Sequence, residues 1–322
     1  MTDLLSVGEP MVEFSAIEEG ELSPGQLFQL GFGGDTSNVV VAASRLGLRS
    51  GYLTRVGDDL LEEALLRMWR KENVDTDPII IEQGSFTGIY IIVRDNGRHK
   101  FIYLRKDSAA SHLSPQDVDA FLFRDLKVFQ TSSITQAISS SSCDAVFRGI
   151  EMAKENKVLV TYDLNVRTTL WSIERARSIV RHTIPLVDVV MLSMEDAVSV
   201  FGKMSKEEYV KKILNMGPKI VALKIGSDGC LIGDSGKLIH IPSYKPSEPI
   251  VDTSGAGDTF DAAFIYGLLS KWDLSTIGIY ANIAGALTST RVGCTLASPY
   301  KEEIEKEFNS MKGVMANGIR SI

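Results

Sequence analysis

The chain has 322 residues, 44% of them hydrophobic, and a formal net charge of −7 at pH 7. This length and apolar content allow a large buried core, in one domain with a smaller appendage or in two domains. The acidic balance argues against a nucleic-acid partner. A basic leader and a run of about 20 apolar residues are both lacking, so we expect a cytoplasmic protein without a membrane span.

The three cysteines and four histidines are widely spaced and show no metal-ligand pattern. This favours a reducing compartment and no structural metal.

Short β-rich runs alternate with longer amphipathic segments, which is typical of an α/β fold with a largely parallel sheet. The predicted core strands are 4–7, 51–56, 128–131, 158–163, 187–192 and 220–225. The predicted helices are 60–72, 139–156, 173–182, 206–215, 259–269 and 274–291.

Two segments, 12–32 and 86–104, break this alternation with strand-like runs that are separated by turns. The second contains Asn96-Gly97 between β-rich arms, which is a strong hairpin signal. From the pattern alone, a surface hairpin with no role in catalysis is the simplest interpretation.

A glycine cluster, Gly31-Phe32-Gly33-Gly34-Asp35-Thr36-Ser37-Asn38, precedes the apolar run 39–46. The pattern predicts a loop and a capped helix that stops at Gly47.

Two arginines follow predicted strands. Arg167 ends the segment Asp163-Leu164-Asn165-Val166-Arg167, and ligands of open α/β sheets collect at the carboxyl ends of strands. Arg105 follows the hairpin arm 101–104, and two-residue alternation gives Tyr103 the same face. Two guanidinium groups near one site suit a carboxylate, although a surface ion pair is the commoner role of each arginine alone.

The segment Asp252-Thr253-Ser254-Gly255-Ala256-Gly257-Asp258-Thr259-Phe260 sets glycines before a carboxylate and an apolar helical run. Uncovered backbone N–H groups and a helix N-terminus favour a phosphate, and Asp258 beside them can take a proton from a hydroxyl. We therefore predict phosphoryl transfer, with the backbone of Gly255, Ala256 and Gly257 as the anion hole. A loop that ends in an ordinary helix cap is the simpler alternative. Neither a Walker A sequence nor the protein-kinase motifs occur.

Both glycine motifs, in this order, resemble those of the ribokinase-like (PfkB) family of carbohydrate kinases, and the resemblance runs from about residue 5 to residue 300. It implies one catalytic domain over residues 1–322, with a three-layer α/β fold, a mainly parallel central sheet and a small β-sheet lid. The lid would comprise about 12–32 and 86–104, and would also mediate a homo-oligomer. Ser254 departs from the commoner Thr of the family motif.

Finer similarity extends to 2-keto-3-deoxygluconate kinases, in the segments Gly8-Glu9-Pro10, 86–90, 103–109 and 167–171. It implies that a small sugar acid is the substrate and that Asp258 deprotonates its terminal hydroxyl. The implied substrate-binding residues are Gly33, Gly34, Asn38, Tyr90, Tyr103, Arg105, Arg167 and Asp258.

The resemblance also implies ATP and Mg²⁺ as cofactors, whereas it leaves a monovalent cation beside the Asp252 loop open. The implied ATP-binding residues are Asn165, Ser193, Lys224, Gly226, Ser227, Gly229, Gly255, Gly257 and Asn282. The family's N-x-x-E element corresponds to Ser193-Met194-Glu195-Asp196, so either Glu195 or Asp196 would reach Mg²⁺ through water, with no direct protein ligand. The stretch 224–230 taken alone is equally a plain hairpin turn.

Two other functions compete with a sugar-acid kinase. A kinase of a neutral sugar such as fructose or ribose would use the same Asp258 chemistry without the arginine pair. A non-catalytic scaffold of the same fold is less favoured, because it needs no base beside an anion hole.

Overall fold

A computed structural model describes residues 2–95, 98–311 and 320–321 of the chain. Its strands are β1 (Leu4–Val7), β2 (Met11–Ala16), β3 (Phe28–Gly33), β4 (Ser50–Gly57), β5 (Ile79–Glu82), β6 (Ile89–Asp95), β7 (Arg98–Leu104), β8 (Val128–Ser132), β9 (Leu159–Asp163), β10 (Val189–Ser193), β11 (Ile220–Lys224), β12 (Cys230–Gly233), β13 (Leu238–Ile241) and β14 (Arg320–Ser321). Its α-helices are α1 (Asp35–Arg45), α2 (Leu60–Lys71), α3 (Ser133–Ile138), α4 (Ser140–Glu155), α5 (Ile173–Thr183), α6 (Met194–Phe201), α7 (Lys206–Leu214), α8 (Ala256–Leu269), α9 (Leu274–Thr288) and α10 (Lys301–Met311).

The central sheet has the strand order β14-β13-β12-β11-β10-β9-β8-β1-β4-β5. From β11 to β5 all neighbouring strands are parallel, and β12, β13 and β14 continue the sheet antiparallel. Parallel strands end at a common edge, so the loops after β1, β9, β10 and β11 meet there.

Alternate residues of the central strands enter two separate cores. Leu5 and Val190 pack in the core that includes residues of α4, α5 and α7, whereas Leu4 and Val189 pack in the core that includes residues of α1, α8 and α9. Strand side chains point alternately to the two faces of a sheet, so helices cover both faces. The predicted three-layer α/β arrangement with a mainly parallel sheet is confirmed.

A four-stranded sheet of order β3-β2-β6-β7 lies apart from the central sheet in the strand pairing. Strands β2 and β6 are parallel, and the two outer pairs are antiparallel. Both segments expected to form a small sheet therefore do so, although the Asn96-Gly97 turn lies outside the described residues. Its apolar side chains Leu30, Phe101, Ile102 and Leu104 are exposed.

Helix α8 begins at Ala256, three residues before the predicted start, with Gly255 as N-cap at φ +74°. This left-handed backbone suits glycine, which lacks the Cβ that penalises the conformation in other residues. The early start brings Gly257 and Asp258 into the first helical turn. Among the described residues, no helix is both long and apolar enough to cross a membrane.

Candidate active site

A cavity of about 840 Å³ opens where the central strands end beside the four-stranded sheet. The central sheet supplies Asp163 and Lys224, which end β9 and β11, and Glu9, which follows β1; the four-stranded sheet supplies Tyr90 and Tyr103. The ends of parallel strands are the usual ligand-binding edge of such a fold. We call this the main cavity.

The first turn of α8 forms part of the main cavity wall through Gly255, Gly257 and Asp258. Thr259 N donates to Gly255 O at 2.9 Å, so the N–H groups of Gly257 and Asp258 precede the first helical hydrogen bond. Ala256 N donates to Thr253 O at 3.3 Å and lies in a turn. A helix N-terminus of this kind attracts an anion.

Asp258 stands in the cavity wall with one carboxylate oxygen held by α1. Asn38 Nδ2 donates to Asp258 Oδ2 at 2.7 Å, and Thr295 Oγ1 donates to Asn38 Oδ1 at 2.5 Å. Loss of hydration, and next the charge of Asp35, raise the pKa of the Asp258 carboxyl to about 7. A carboxylate with this pKa is a competent base near neutral pH.

Lys224 at the end of β11 faces two buried carboxylates. Its Nζ lies 3.0 and 3.2 Å from the two oxygens of Asp261 and 3.3 Å from Asp163 Oδ2. Burial favours loss of the lysine proton, but the charges of Asp163 and Asp261 outweigh it and raise the pKa of Lys224 above its usual value. The lysine is therefore a fixed positive charge in a site rich in carboxylates.

Arg105 reaches the main cavity from the chain after β7, but it is paired. Its Nη2 donates to the carboxylate of Glu9, whose side chain is 1% exposed, and Ser108 Oγ donates to the same carboxylate at 3.3 Å. Burial raises the pKa of Glu9, while the Arg105 charge opposes that shift. Part of the guanidinium charge is thus neutralised before any ligand binds.

Arg167 is an exposed residue of the main cavity wall, and its Nη1 donates to Val166 O at 3.2 Å. In the described part of the chain it forms no ion pair. Arg105 Cζ lies 6.0 Å from the centroid of the Tyr103 ring. Burial raises the pKa of Tyr103, while the charges of Arg105 and Arg167 oppose that shift. The two arginines and the tyrosine all line the main cavity.

Two of the residues expected to bind substrate are less accessible. The Tyr90 side chain is 5% exposed, and its hydroxyl donates to the carboxylate of Glu13. Gly33, at the end of β3, packs against the Tyr90 ring and lies behind it, so the cavity wall at this point is Tyr90. The resemblance implies Gly33 as a substrate residue; in the structure it contacts Tyr90 and is not among the residues that line the main cavity.

A second cavity of about 520 Å³ adjoins the main cavity. The two share wall residues, namely Lys224, Gly226, Ser227, Thr253 and Gly257. The expected nucleotide residues Gly229 and Asn282 line the second cavity, as does Ala256, while Asn165 and Ser193 line the main one. The stretch 224–230 is a β11–β12 hairpin turn, and it also forms wall of both cavities.

The acidic residues after β10 have different surroundings. Asp196 accepts hydrogen bonds from Ser193 N at 3.0 Å, Ser193 Oγ at 2.7 Å and Val166 N at 2.7 Å. Asp196 thus belongs to a capping box and is 5% exposed, whereas the exposed Glu195 lines the main cavity. Among the described residues, no three His, Cys, Asp or Glu side chains are arranged to bind a metal ion.

Sequence reasoning did not assign roles to several residues of the site. Glu9, Asp35, Asp163 and Cys294 line the main cavity, and Asp261 holds Lys224. Asp35 lies in the N-terminal glycine cluster, Asp163 begins the segment that ends at Arg167, and Asp261 follows Asp258 by three residues on one helix face. The proximity of these carboxylates to the motifs is therefore a signal present in the sequence. No sequence signal marks Cys294.

Gly34, directly before α1, has no room for a side chain. It has φ +100°, and a Cβ there would overlap the backbone oxygen of Glu9. Gly47 has φ +93° with no atom near its Cβ position. We expect Gly47→Ala to cost about 1 kcal/mol from the backbone alone. Gly34→Ala should cost about 3 kcal/mol in urea unfolding and should raise the substrate KM, because it displaces Glu9. Equal costs for the two variants would contradict this packing.

A buried carboxylate beside a helix N-terminus, at the edge where parallel strands end, is the arrangement expected of an α/β phosphotransferase. The family model described as "pfkB family carbohydrate kinase" matches residues 1–301. The chain belongs to this family and is a carbohydrate kinase.

Similar proteins include kinases of different sugars. The 2-dehydro-3-deoxygluconokinase of Thermoproteus tenax is 30% identical over 316 residues, which cover 97% of this chain and 95% of that protein. Fructokinase-1 of Oryza sativa subsp. japonica is 29% identical over 318 residues, which cover 95% and 98%. An Escherichia coli protein assigned as ribokinase II, solved in complex with ATP and Mg²⁺, has a TM-score of 0.89 at 26% identity, with 96% and 99% coverage. The ribokinase-like fold is confirmed.

Proposed function

We propose that this carbohydrate kinase transfers phosphate from ATP to the terminal hydroxyl of 2-keto-3-deoxygluconate. The observation that carries the proposal is that Arg105 and Arg167 line the same cavity as Asp258. A guanidinium binds a carboxylate through charge-assisted hydrogen bonds. The similarity of this chain to the 2-dehydro-3-deoxygluconokinase of Thermoproteus tenax supports the proposed substrate, because 2-dehydro-3-deoxygluconate is another name for 2-keto-3-deoxygluconate.

In this proposal the acceptor hydroxyl gives its proton to Asp258 while its oxygen attacks the γ-phosphorus of ATP. The N–H groups of Gly257 and Asp258, together with Lys224, stabilise the negative charge on the transferred phosphoryl oxygens. The bond from the γ-phosphorus to the bridging oxygen breaks, and ADP leaves. Asn38 keeps the Asp258 carboxylate oriented toward the cavity.

The second cavity is proposed to hold the nucleotide base and ribose, with the phosphates at the wall shared by both cavities. The complex of the Escherichia coli relative with ATP and Mg²⁺ supports this cofactor pair. The donor set fits Mg²⁺ held mainly by phosphate oxygens and water, because Mg²⁺ keeps several waters in such sites. Of the two acidic residues after β10, exposed Glu195 is the one we propose to contact its water shell, since Asp196 is committed to the helix cap.

A neutral-sugar kinase is the second candidate. Glu9 already neutralises part of the Arg105 charge, which lowers the attraction for a carboxylate. The similarity to a fructokinase points in the same direction. The deciding experiment measures ADP release with ATP and Mg²⁺ on 2-keto-3-deoxygluconate, fructose, ribose and no sugar. Preference for a neutral sugar would overturn the acid assignment, and no turnover on any sugar would overturn the proposed transfer.

The pH dependence of kcat/KM should report the base. Because the pKa of Asp258 is raised to about 7, activity should rise with pH through this value and level off above it, as only the deprotonated carboxylate accepts a proton. Asp35→Asn removes one charge that raises this pKa, so its acid limb should shift to lower pH. An acid limb that is unchanged in Asp35→Asn would show that another group titrates.

The four-stranded sheet is proposed to act as a lid over the main cavity of a single catalytic domain and as a contact between two chains. Its exposed apolar residues Phe101, Ile102 and Leu104 support self-association, since such patches commonly mark interfaces. Light scattering should give a mass near twice that of the chain, and Phe101→Ser should lower it. A monomeric wild-type protein at micromolar concentration would contradict the contact.

A further inference from the structure

Asp261 is a completely buried carboxylate that the mechanism above does not use. It lies on α8 one turn after Asp258, and it is 0% exposed. Dehydration raises the pKa of Asp261 well above its usual value, with the Asp163 charge acting in the same direction. Such a group is costly to bury unless a cation compensates it.

Lys224 is that cation, and the contact is specific in geometry. Both Asp261 oxygens lie near its Nζ, at 3.0 and 3.2 Å, and Asp163 Oδ2 approaches from β9 at 3.3 Å. A lysine side chain has a flexible four-carbon stem, so its own conformation does not fix the position of the ammonium group. The two carboxylates, one from a helix and one from a strand, therefore determine where the ammonium group lies.

The ammonium group of Lys224 lies beside the helix N-terminus at which the phosphates are proposed to bind. A Cβ atom on Gly257 would lie 3.5 Å from Lys224 Nζ, so the charge stands beside the first turn of α8. Lys224 lines both cavities and marks the wall that they share. Asp261 is not among the residues that line either cavity, and its hydrogen-bonded contact with a residue that does line them is with Lys224.

We propose that Asp261 is a positioning residue that holds the Lys224 ammonium beside the helix N-terminus, where it meets the phosphoryl group during transfer. This inference rests on the proposed phosphoryl transfer. A positive charge already in place when charge moves onto the phosphoryl oxygens stabilises the transition state without a reorganisation step. Without Asp261, Asp163 alone would draw the lysine toward β9.

A double-mutant cycle on kcat tests the proposal. Asp261→Asn keeps the side-chain shape and should lower kcat about 10-fold, while the sugar KM changes less than about twofold. Lys224→Ala should lower kcat about 100-fold, which is the size of effect found for a lost electrostatic donor. In the Lys224→Ala background, Asp261→Asn should cause no further loss, because its partner is already gone.

The matched control is another buried ion pair that is remote from both cavities. Arg45 Nη2 and Glu72 Oε1 are 2.8 Å apart, and both side chains are 5% exposed. Glu72→Gln should lower the unfolding temperature and leave kcat unchanged, which separates lost stability from lost positioning. If Asp261→Asn does not fold, Asp261→Glu keeps the charge but displaces it, and the same cycle applies.

Two results would overturn the inference while the wild-type enzyme still transfers phosphate: an unchanged kcat in the Asp261 variant, or a kcat loss that adds fully to that of Lys224→Ala. A wild-type protein inactive on every sugar would instead refute the proposed function. The two failures are therefore distinguishable.

Discussion

Replacing Asp258 by asparagine should lower kcat by about 10² to 10⁴-fold, because the amide cannot accept the hydroxyl proton. The substitution preserves size, and its oxygen can still accept from Asn38 Nδ2, which lies 2.7 Å from the carboxylate. Affinity for ATP should change by less than about twofold, since the second cavity is lined by other residues. Steady-state ADP release and nucleotide titration calorimetry measure the two quantities.

Asp273→Asn serves as the control for this substitution. Asp273 caps α9 and accepts from Ser275 N at 3.0 Å and Thr276 N at 3.1 Å, away from both cavities. Asparagine caps a helix about as well as aspartate does, so kcat and stability should stay close to wild type. If Asp258→Asn behaved like this control, Asp258 would not be the base.

The second large effect is expected at Arg167. Arg167→Ala should lower kcat/KM for the keto acid by about 10- to 100-fold, the value of a hydrogen bond between charged groups. Turnover of a neutral sugar and the KM for ATP should change little, because neither requires a carboxylate ligand. The competing outcome, in which the keto acid and ATP lose affinity equally, would assign Arg167 to the nucleotide phosphates.

Arg124→Ala is a suitable control for Arg167→Ala. Arg124 is also exposed, and its guanidinium carbon stacks 5.2 Å from the centroid of the Phe121 ring. It is not among the residues that line either cavity, so neither substrate should be affected.

The corresponding test at Arg105 needs a different design. Arg105→Ala alone would leave the Glu9 carboxylate buried and unpaired, at a cost of about 3 to 5 kcal/mol. Combining it with Glu9→Gln removes both charges and isolates the effect on substrate binding. If Arg105 binds the carboxylate, the double variant should weaken the acidic substrate far more than ATP.

The fold was largely predictable because its signals are local. Each central strand is a short apolar run, and the two faces of the sheet follow from two-residue alternation, as at Leu4 and Leu5. The start of α8 was predicted three residues late, because an apolar pattern does not register Ala256, Gly257 and Asp258 as helical. The left-handed conformation of Gly255 determines that boundary.

Contacts across long stretches of chain were not predictable. Arg105 was expected to be available to a substrate, but it is paired with Glu9, which lies 96 residues earlier. Lys224 and Asp261 are 37 residues apart, and no spacing rule connects a strand end to the second turn of a helix. Such pairs depend on how the central sheet and its helices pack, and the local periodicity of a single sequence does not predict this packing.

The two sheets carry different parts of the proposed reaction. Asp258 and Lys224 come from the central sheet and its helix α8, whereas Tyr90 and Tyr103 belong to β6 and β7 of the smaller sheet. Changes in β6 and β7 can therefore alter which acceptor is bound without moving the base or the phosphate site. Selection for a new sugar, in nature or in a directed-evolution library, should accumulate substitutions in these strands and at Arg167 while the α8 motif stays constant.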